Sequence, residues 1–201
     1  MKEPASYLPN LNLALLHQEM HNKEGRIVTT SLTLIDVHDL ARSSKTYGIK
    51  SVFIAHPSDA LRRLTLTLKN HWEDGFGATY NPNRKEALEI IEVVYDLDEI
   101  LEKIRSANNG VTAKLIATSA KSGSDRISFK NMRNIIESDL KQPFLLMLGT
   151  GWGMSEQLLQ RADYYLEPIS GPTDYNHLSV RSACSIMLDR LLSPQTKSLH
   201  L

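Results

Sequence analysis

One stretch decides the fold: Phe144-Leu145-Leu146-Met147-Leu148-Gly149-Thr150-Gly151-Trp152-Gly153-Met154-Ser155. Its five leading apolar residues have the length of a strand, and continuous apolar runs are typical of strands buried on both faces. The three glycines that follow let the backbone approach a ligand and present N–H groups at the start of a helix. The stretch therefore predicts a buried strand, a tight ligand-binding turn and a helix, in that order.

Short apolar runs alternate with amphipathic stretches along the rest of the chain. This alternation predicts an α/β fold with a mostly parallel sheet of about six strands flanked by helices. We expect strands at 11–16, 51–55, 90–94, 114–118, 144–148 and 164–166, and helices at 37–47, 59–70, 97–105, 129–139, 156–161 and 179–192. Residues 1–201 are predicted to form one domain, with a flexible tail at 193–201.

The composition excludes several classes of protein. With 41% hydrophobic and 23% charged residues the chain should fold, and its single cysteine, Cys184, excludes an intramolecular disulfide and a cysteine-based zinc cluster. The first residues lack the apolar core of a signal peptide, and no apolar run approaches the roughly 18 to 20 residues that cross a bilayer. We therefore expect a cytoplasmic protein that is not held in a membrane and needs no metal.

The formal net charge of zero conceals two segments of opposite sign. Residues 41–85 contain eight basic and three acidic residues, whereas residues 86–105 contain seven acidic and two basic residues. A polyanion would have to bind the basic segment locally, because the net charge of the whole protein does not attract one. The alternative is that the two segments are solvated helix faces of opposite charge.

The glycine turn is open to a dinucleotide interpretation. Glu167 follows it near the spacing at which a Rossmann fold places its ribose-binding acid, which would indicate a nucleotide-dependent oxidoreductase. The glycines, however, are spaced Gly-x-Gly-x-Gly instead of Gly-x-Gly-x-x-Gly. The chain also has only a helix and no further strand after Glu167, whereas a first Rossmann unit needs additional strands.

A second dense stretch, Leu166-Glu167-Pro168-Ile169-Ser170-Gly171 followed by Asp174-Tyr175-Asn176-His177-Leu178-Ser179-Val180, favours another family. With the glycine turn, it resembles the SPOUT superfamily of S-adenosylmethionine-dependent RNA methyltransferases. Further motifs match one bacterial branch of predicted RNA methyltransferases over nearly the whole chain. They are Val28-Thr29-Thr30, Asp36-Val37-His38-Asp39-Leu40-Ala41-Arg42-Ser43, Thr46-Tyr47-Gly48, His71-Trp72, Tyr80-Asn81-Pro82 and Thr118-Ser119-Ala120-Lys121.

The resemblance implies a C-terminal trefoil knot, a homodimer and a bent S-adenosylmethionine contacted mainly by backbone groups. Adenine and ribose would lie against the ends of two strands, and the methionine part would lie near the last helix. The cofactor residues implied in this way are Leu148, Gly149, Thr150, Gly151, Gly153, Leu166, Glu167, Ile169, Asn176, Leu178 and Ser179. Trp152, inside the turn, is expected to pack within the fold, and the alternative is that it covers the site.

The resemblance also suggests catalytic residues. In the SpoU-like branch an arginine on the first helix approaches the substrate, and Arg42 matches it. Asp39 lies three residues earlier on the same helix face, although the two side chains could instead form an ordinary surface ion pair. This chain departs from the pattern, because Asp-Val-His-Asp replaces the Asn-x-Gly element of many relatives. Candidates for a general base, needed only if the accepting atom carries a proton, are Asp174, His177, Asp36 and His38.

Residues 71–84 are predicted to form a long loop that contacts RNA. Trp72, Tyr80 and Arg84 combine stacking rings with a cation, as single-stranded RNA sites do, although a structural loop anchored by its aromatic residues is an equal alternative. We expect an S-adenosylmethionine-dependent methyltransferase acting on tRNA or rRNA. The alternatives are a Rossmann oxidoreductase and a knotted RNA-binding or assembly factor without catalytic activity.

Overall fold

The computed structural model describes residues 8–74, 76–123 and 125–194. Its main sheet has six parallel strands in the order β5-β4-β1-β7-β6-β8, and a separate antiparallel hairpin joins β2 to β3. The strands are β1 (Leu11–Leu16), β2 (Met20–His21), β3 (Ile27–Val28), β4 (Val52–Ala55), β5 (Ile91–Val94), β6 (Lys114–Ala117), β7 (Phe144–Leu148) and β8 (Tyr164–Tyr165). The predicted parallel α/β sheet of six strands is confirmed.

Helices cover both faces of this sheet. They are α1 (Leu34–Thr46), α2 (Asp59–Glu73), α3 (Phe76–Tyr80), α4 (Pro82–Leu88), α5 (Leu97–Ala107), α6 (Phe129–Ser138), α7 (Glu156–Leu159) and α8 (Val180–Leu192). One core cluster packs α1, α4, α6 and α8 against the sheet, and a second packs α5 and α7 against the other face. All five residues of β7 are buried, as expected of a central strand in a parallel sheet.

The order of the strands places a switch point between β1 and β7. From β1 the chain builds outward through β4 to β5, whereas β7, β6 and β8 lie on the other side. Ligands of open parallel sheets bind beyond the carboxyl ends of the strands at such a point. We call the end of the sheet where all six strands finish the carboxyl edge, and the glycine turn leaves β7 there.

One prediction about local structure is wrong, and one element was not predicted. Residues 71–84 do not form a loop: α2 continues to Glu73, and α3 and α4 occupy most of the remainder. The Asn81 side chain caps α4 by accepting a hydrogen bond from the Arg84 N–H at 3.1 Å. The β2–β3 hairpin was not predicted, because strands of two residues are too short to show alternation, although its Asn22-Lys23-Glu24-Gly25 turn is visible in the sequence.

The last helix is held between two others. Helix α8 packs against α1 and α6, and the buried Arg133 of α6 donates from Nε to the Leu191 carbonyl at 2.9 Å. Ser193, the first residue of the predicted tail, donates its N–H to the Asp189 carbonyl at 2.9 Å, and residues 195–201 lie outside the described residues. The flexible tail stays a prediction. The trefoil knot and the single-domain boundary stay predictions. Among the described helices, none is long and apolar enough to cross a membrane.

Candidate active site

Three chain segments meet at the carboxyl edge, one from each of β6, β7 and β8. The Thr118 hydroxyl after β6 donates to the Met147 carbonyl of β7 at 2.8 Å. The Leu166 N–H after β8 donates to the Ala117 carbonyl at 2.9 Å. Farther along, the Asn176 side chain donates from Nδ2 to the Ala120 carbonyl at 2.9 Å. The structure therefore brings together the two stretches that the sequence singled out.

The glycine turn after β7 is fixed by backbone hydrogen bonds to the β2–β3 hairpin. The Trp152 N–H donates to the His21 carbonyl at 3.0 Å, and the His21 N–H donates to the Gly153 carbonyl at 2.8 Å. Gly151 has φ of +59°, and a Cβ there would lie 3.0 Å from Thr30 Cγ2 and 3.1 Å from the His21 oxygen. Gly151 is thus needed for close packing of the hairpin, whatever it contributes to a ligand.

The remaining residues of the turn are also tightly placed. A Cβ on Gly149 would lie 2.8 Å from Met154 Cγ. The Thr150 hydroxyl donates to the Leu16 carbonyl at 3.0 Å and makes a short hydrogen bond of 2.5 Å with the Thr30 hydroxyl. These contacts join the end of β7 to the end of β1, across the switch point of the sheet.

Gly153 shows that the backbone of the turn is accessible on its outer side. Its φ is +103°, and a Cβ there would meet no atom within 4 Å. Leu148, Leu166 and Ile169 are buried beside this edge and form an apolar base under the three segments. An accessible backbone over an apolar base fits a ligand that combines a flat ring with polar groups, as S-adenosylmethionine does, and Gly171 likewise has open space around it.

The carboxylate of Glu167 is hydrogen-bonded to the start of α6. Its Oε1 accepts a hydrogen bond of 2.7 Å from the Phe129 N–H at the start of α6, and its own N–H donates to the Ile127 carbonyl at 2.9 Å. In a Rossmann site this carboxylate would instead bind a ribose. The geometry therefore argues against the oxidoreductase alternative, because the carboxylate already holds the start of α6.

The chain between β8 and α8 is largely exposed. Asp174, His177 and Leu178 are exposed, and the Ser179 hydroxyl caps α8 by accepting a hydrogen bond from the Ser182 N–H at 3.2 Å. Tyr175 is 74% exposed and contacts the His177 ring edge-on, with the ring centres 5.2 Å apart. Asp174 and His177 are consequently accessible to a substrate that approaches the carboxyl edge.

The other two candidate bases are engaged within the fold. Asp36 accepts a hydrogen bond from the Thr33 hydroxyl and lies 3.1 Å from the Arg181 Nε. His38 contacts the Trp72 ring edge-on, and burial, helped by the Arg84 cation, lowers its pKa below the usual value. These contacts favour Asp174 and His177 over Asp36 and His38 as groups that accept a proton.

A polar groove of about 390 Å³ separates α1 from the first turns of α8. The ion pair between Asp39 and Arg42, which was the alternative to a catalytic role, does not form, because Asp39 contacts Arg181 Nη1 at 3.3 Å. The Arg42 side chain is exposed and has no ion-pair partner among the described residues, so its charge is available to an incoming anion. Sequence spacing could not identify Arg181, which lies 142 residues from Asp39. Besides Asp39, Arg42 and Arg181, the groove is lined by Ser43, Thr46, Tyr47, Ser182 and Ser185.

The three predicted RNA-contact residues are not equivalent. Trp72 is half-buried against the core, and the Arg84 guanidinium lies over its ring at 4.4 Å from the centre. That arrangement matches the structural alternative, since a cation already covers one face of the indole. Tyr80 at the end of α3 is 75% exposed.

Two histidines that the sequence interpretation did not select lie at the carboxyl edge beside the hairpin. His17 is fully buried after β1 and donates from Nδ1 to the Ala55 carbonyl at 3.1 Å, and burial lowers its pKa to about 4. His56 after β4 lies 5.1 Å from the His17 ring and donates from Nε2 to the Thr30 carbonyl at 3.0 Å. Their hydrogen bonds connect β1, β4 and the chain that follows the hairpin.

Comparison with known proteins identifies the family. A family model described as SAM-dependent RNA methyltransferase matches residues 10–193. A protein of Aquifex aeolicus described as uncharacterized is 38% identical over 184 residues, covering 92% of this chain and 89% of that protein. A tRNA (guanine-N(1)-)-methyltransferase of Oleidesulfovibrio alaskensis is 39% identical over 183 residues, covering 91% of this chain. The chain spans only 42% of the length of that second relative.

Solved structures show the same fold. The SpoU methyltransferase AviRb of Streptomyces viridochromogenes, in complex with its cofactor AdoMet, matches with a TM-score of 0.53 at 15% identity, covering 96% of this chain and 62% of that one. The expected SPOUT-like α/β fold and the cofactor S-adenosylmethionine are confirmed, and neither the oxidoreductase nor the non-catalytic alternative is favoured. The chain belongs to the S-adenosylmethionine-dependent RNA methyltransferases.

Proposed function

We propose that the protein methylates a tRNA or an rRNA in the cytoplasm, and that transfer takes place at the carboxyl edge between the glycine turn and the 174–179 segment. The observation that carries this proposal is that the segments after β6, β7 and β8 leave the same edge of the sheet, and the hydrogen bond from Asn176 to the Ala120 carbonyl joins two of them. The methylated atom is not carried over from the guanine-N(1) relative, because this chain spans less than half of it.

In this proposal the backbone from Leu148 to Gly153 and from Leu166 to Ile169 holds the adenosine part of the cofactor. Asn176, Leu178 and Ser179 face its methionine part. S-adenosylmethionine supplies a methyl group on a positively charged sulfur, which a nucleophile displaces in line. The contribution of the protein is then mainly to align the accepting atom.

Arg42 is proposed to bind a phosphate or ribose of the substrate. It is exposed on the wall of the α1–α8 groove, and the first turns of α8 that form the opposite wall follow directly on Ser179. Asp39 contributes indirectly, because its contact with Arg181 holds the two walls together. If the accepting atom carries a proton, Asp174 or His177 is positioned to take it from the solvent side.

A homodimer is proposed to enlarge the RNA surface, as the family resemblance implies. A single chain of 22.6 kDa offers only one catalytic core to a large RNA. Sedimentation at micromolar concentration should give a mass near twice that of the chain.

The cofactor site is tested with two glycines of similar conformation. Gly153 at the site and Gly110 after α5 both have positive φ, and a Cβ on either meets no atom within 4 Å. Gly153→Leu should weaken S-adenosylmethionine binding in calorimetry by about tenfold or more, which is at least about 1.4 kcal/mol. Gly110→Leu carries a similar backbone strain and should bind as the wild type does. Equal binding by all three proteins would remove the proposed cofactor site.

A further inference from the structure

Trp152 is exposed in a place where the fold could have buried it. The sequence led us to expect packing, but 54% of the side chain is accessible to solvent. Because exposing a large aromatic ring to water is unfavourable, a rigidly held exposed indole is typical of a ligand contact.

The backbone that carries the indole is immobilised. The N–H of Trp152 bonds to the hairpin, and the next residue closes the turn by donating to the Thr150 carbonyl at 3.1 Å. Met20 of the hairpin also forms a bridge with Met154, just after the turn. The ring is therefore presented from a fixed base, which lowers the entropy lost when a ligand binds.

A second exposed ring lies on the neighbouring segment. Tyr175, 74% exposed, belongs to the segment that follows β8, and Asn176 next to it is tied to Ala120 after β6. Strand β6 separates β7 from β8, so the two segments leave the sheet about 10 Å apart. Both rings are thus at the carboxyl edge, on either side of the proposed path of the methyl group.

Cations lie on the same segments. Lys23 and Arg26 are exposed on the hairpin that holds Trp152, and Lys121 follows the carbonyl that accepts from Asn176. None of the three forms an ion pair with a described residue. Carboxylates such as Glu24 and Asp174 are present there too, so the inference rests on the rings, with the cations placed to contact phosphates.

We propose that Trp152 and Tyr175 form a stacking site for unpaired nucleobases of the RNA substrate. Exposed rings beside cations are how proteins hold single-stranded RNA without reading its sequence, whereas a paired duplex hides the faces of its bases. The inference rests on the proposed function, because it assigns to this site the single-stranded part of the RNA that is methylated.

The test uses the two tryptophans of the chain, Trp72 and Trp152. A 12-nucleotide single strand of mixed sequence, added to the wild-type protein, should quench the tryptophan fluorescence, because stacking on a base quenches an indole. The same strand added to Trp152→Phe, in which only Trp72 emits, should leave the fluorescence unchanged. The same strand annealed to its complement should leave the tryptophan fluorescence of both proteins unchanged.

Affinity for the same strand, labelled and followed by fluorescence anisotropy, gives the second readout. Trp152→Ala and Tyr175→Ala should each bind about 5- to 150-fold more weakly, the range that corresponds to 1–3 kcal/mol of stacking per base. Leu64→Ala, which truncates an exposed apolar residue of α2, is the matched control and should bind normally.

Two results would overturn the inference. One is unchanged quenching and affinity in the Trp152 variants. The other is a Trp152→Ala protein with normal RNA affinity but a changed mass in light scattering, because the ring would then be part of a protein–protein interface. The proposed function is judged separately, by the calorimetric affinity of the wild-type protein for S-adenosylmethionine. If RNA quenches the tryptophan fluorescence of the wild-type protein but the protein binds no cofactor, the proposed function is wrong while the stacking site is supported.

Discussion

At the residue scale, the pairing of charges decides which groups are available for catalysis. Asp39 and Arg42 are three residues apart on α1, yet Asp39 contacts Arg181 of α8, which also lies 3.1 Å from Asp36. The carboxylates of Asp36 and Asp39 therefore both bind Arg181, and Arg42 stays exposed. Because Arg181 is already neutralised by two partners, Arg42 is the cation of the groove that can bind an added phosphate.

Replacing Arg42 should reduce activity without loosening the fold. A hydrogen bond to a charged group contributes about 1.5–3 kcal/mol, so Arg42→Ala should lower kcat/KM for RNA methylation about 10- to 150-fold. Lys45→Ala, one turn farther along α1, removes an exposed cation that pairs with Glu86 and is the control. Equal activities of the two variants, with normal cofactor affinity in both, would show that Arg42 does not contact the substrate.

His17 should make stability depend on pH. Burial lowers its pKa to about 4 in the folded protein, against about 6.5 in the unfolded chain. The unfolded chain therefore takes up a proton first, so this contribution to stability is complete above pH 6.5 and is lost as the pH falls toward 4, by up to about 3 kcal/mol. In His17→Asn, which keeps a neutral donor for the Ala55 carbonyl, urea midpoints should fall less between pH 7 and pH 4.5.

The exposed His71 provides the comparison for that measurement. His71→Asn should retain the pH dependence of the wild type. If the urea midpoints of His17→Asn and of the wild type change with pH in the same way, the proton that is taken up on unfolding binds to a group other than His17.

At the element scale, the sequence predicted the strands and most helices well because their signals are local. Strands β1 and β7 occur at the predicted bounds, and the other four strands of the main sheet each differ from the prediction by one residue at one end. The error at 71–84 has a physical cause: glycine and proline suggest a loop, but Pro82 lies in the first turn of α4, where its missing N–H costs nothing, and Trp72 packs against the core. Trp72, which was interpreted as part of an RNA-binding loop, lies in α2 and packs against the core.

The candidate site was only partly predictable for a related reason. The glycine turn and the 166–179 stretch were found because their composition is unusual. The β2–β3 hairpin, Arg181 and the exposure of Trp152 depend on which elements the fold brings together, and spacing along the chain carries no information about that.

Glu167 connects β8 to α6 and should matter to stability more than to the cofactor. Its carboxylate accepts from the Phe129 N–H at the start of α6, and losing such a cap costs about 1 kcal/mol. Glu167→Ala should therefore lower the free energy of unfolding by about that amount in urea, while Glu167→Gln keeps an acceptor oxygen and should recover most of it. Calorimetry should find normal S-adenosylmethionine affinity in Glu167→Gln. A large loss of affinity there would indicate that the side chain binds the cofactor.

At the scale of the whole molecule, one parallel sheet gathers residues from distant parts of the chain at its carboxyl edge. The glycine turn comes from the end of β7, and Tyr175 with His177 from the segment before α8, whereas Arg42 of α1 lies in the α1–α8 groove that begins after that segment. The net charge of zero is compatible with an RNA substrate, because the contacts that we propose at this edge are local ones, from exposed rings and nearby cations. Which RNA binds then depends on the surfaces around this edge, including those that the second subunit of the proposed homodimer would add.

The most direct test of the central claim is methyl transfer to RNA by the purified protein. RNA from cells that lack the gene is incubated with the protein and S-adenosylmethionine carrying a trideuterated methyl group, and the nucleosides are analysed by mass spectrometry. We predict one trideuteromethylated nucleoside in tRNA or rRNA, and we expect much less of it with Arg42→Ala and, at a low concentration of S-adenosylmethionine, with Gly153→Leu. If the wild-type protein binds S-adenosylmethionine but transfers no trideuterated methyl group to the RNA, the account is wrong.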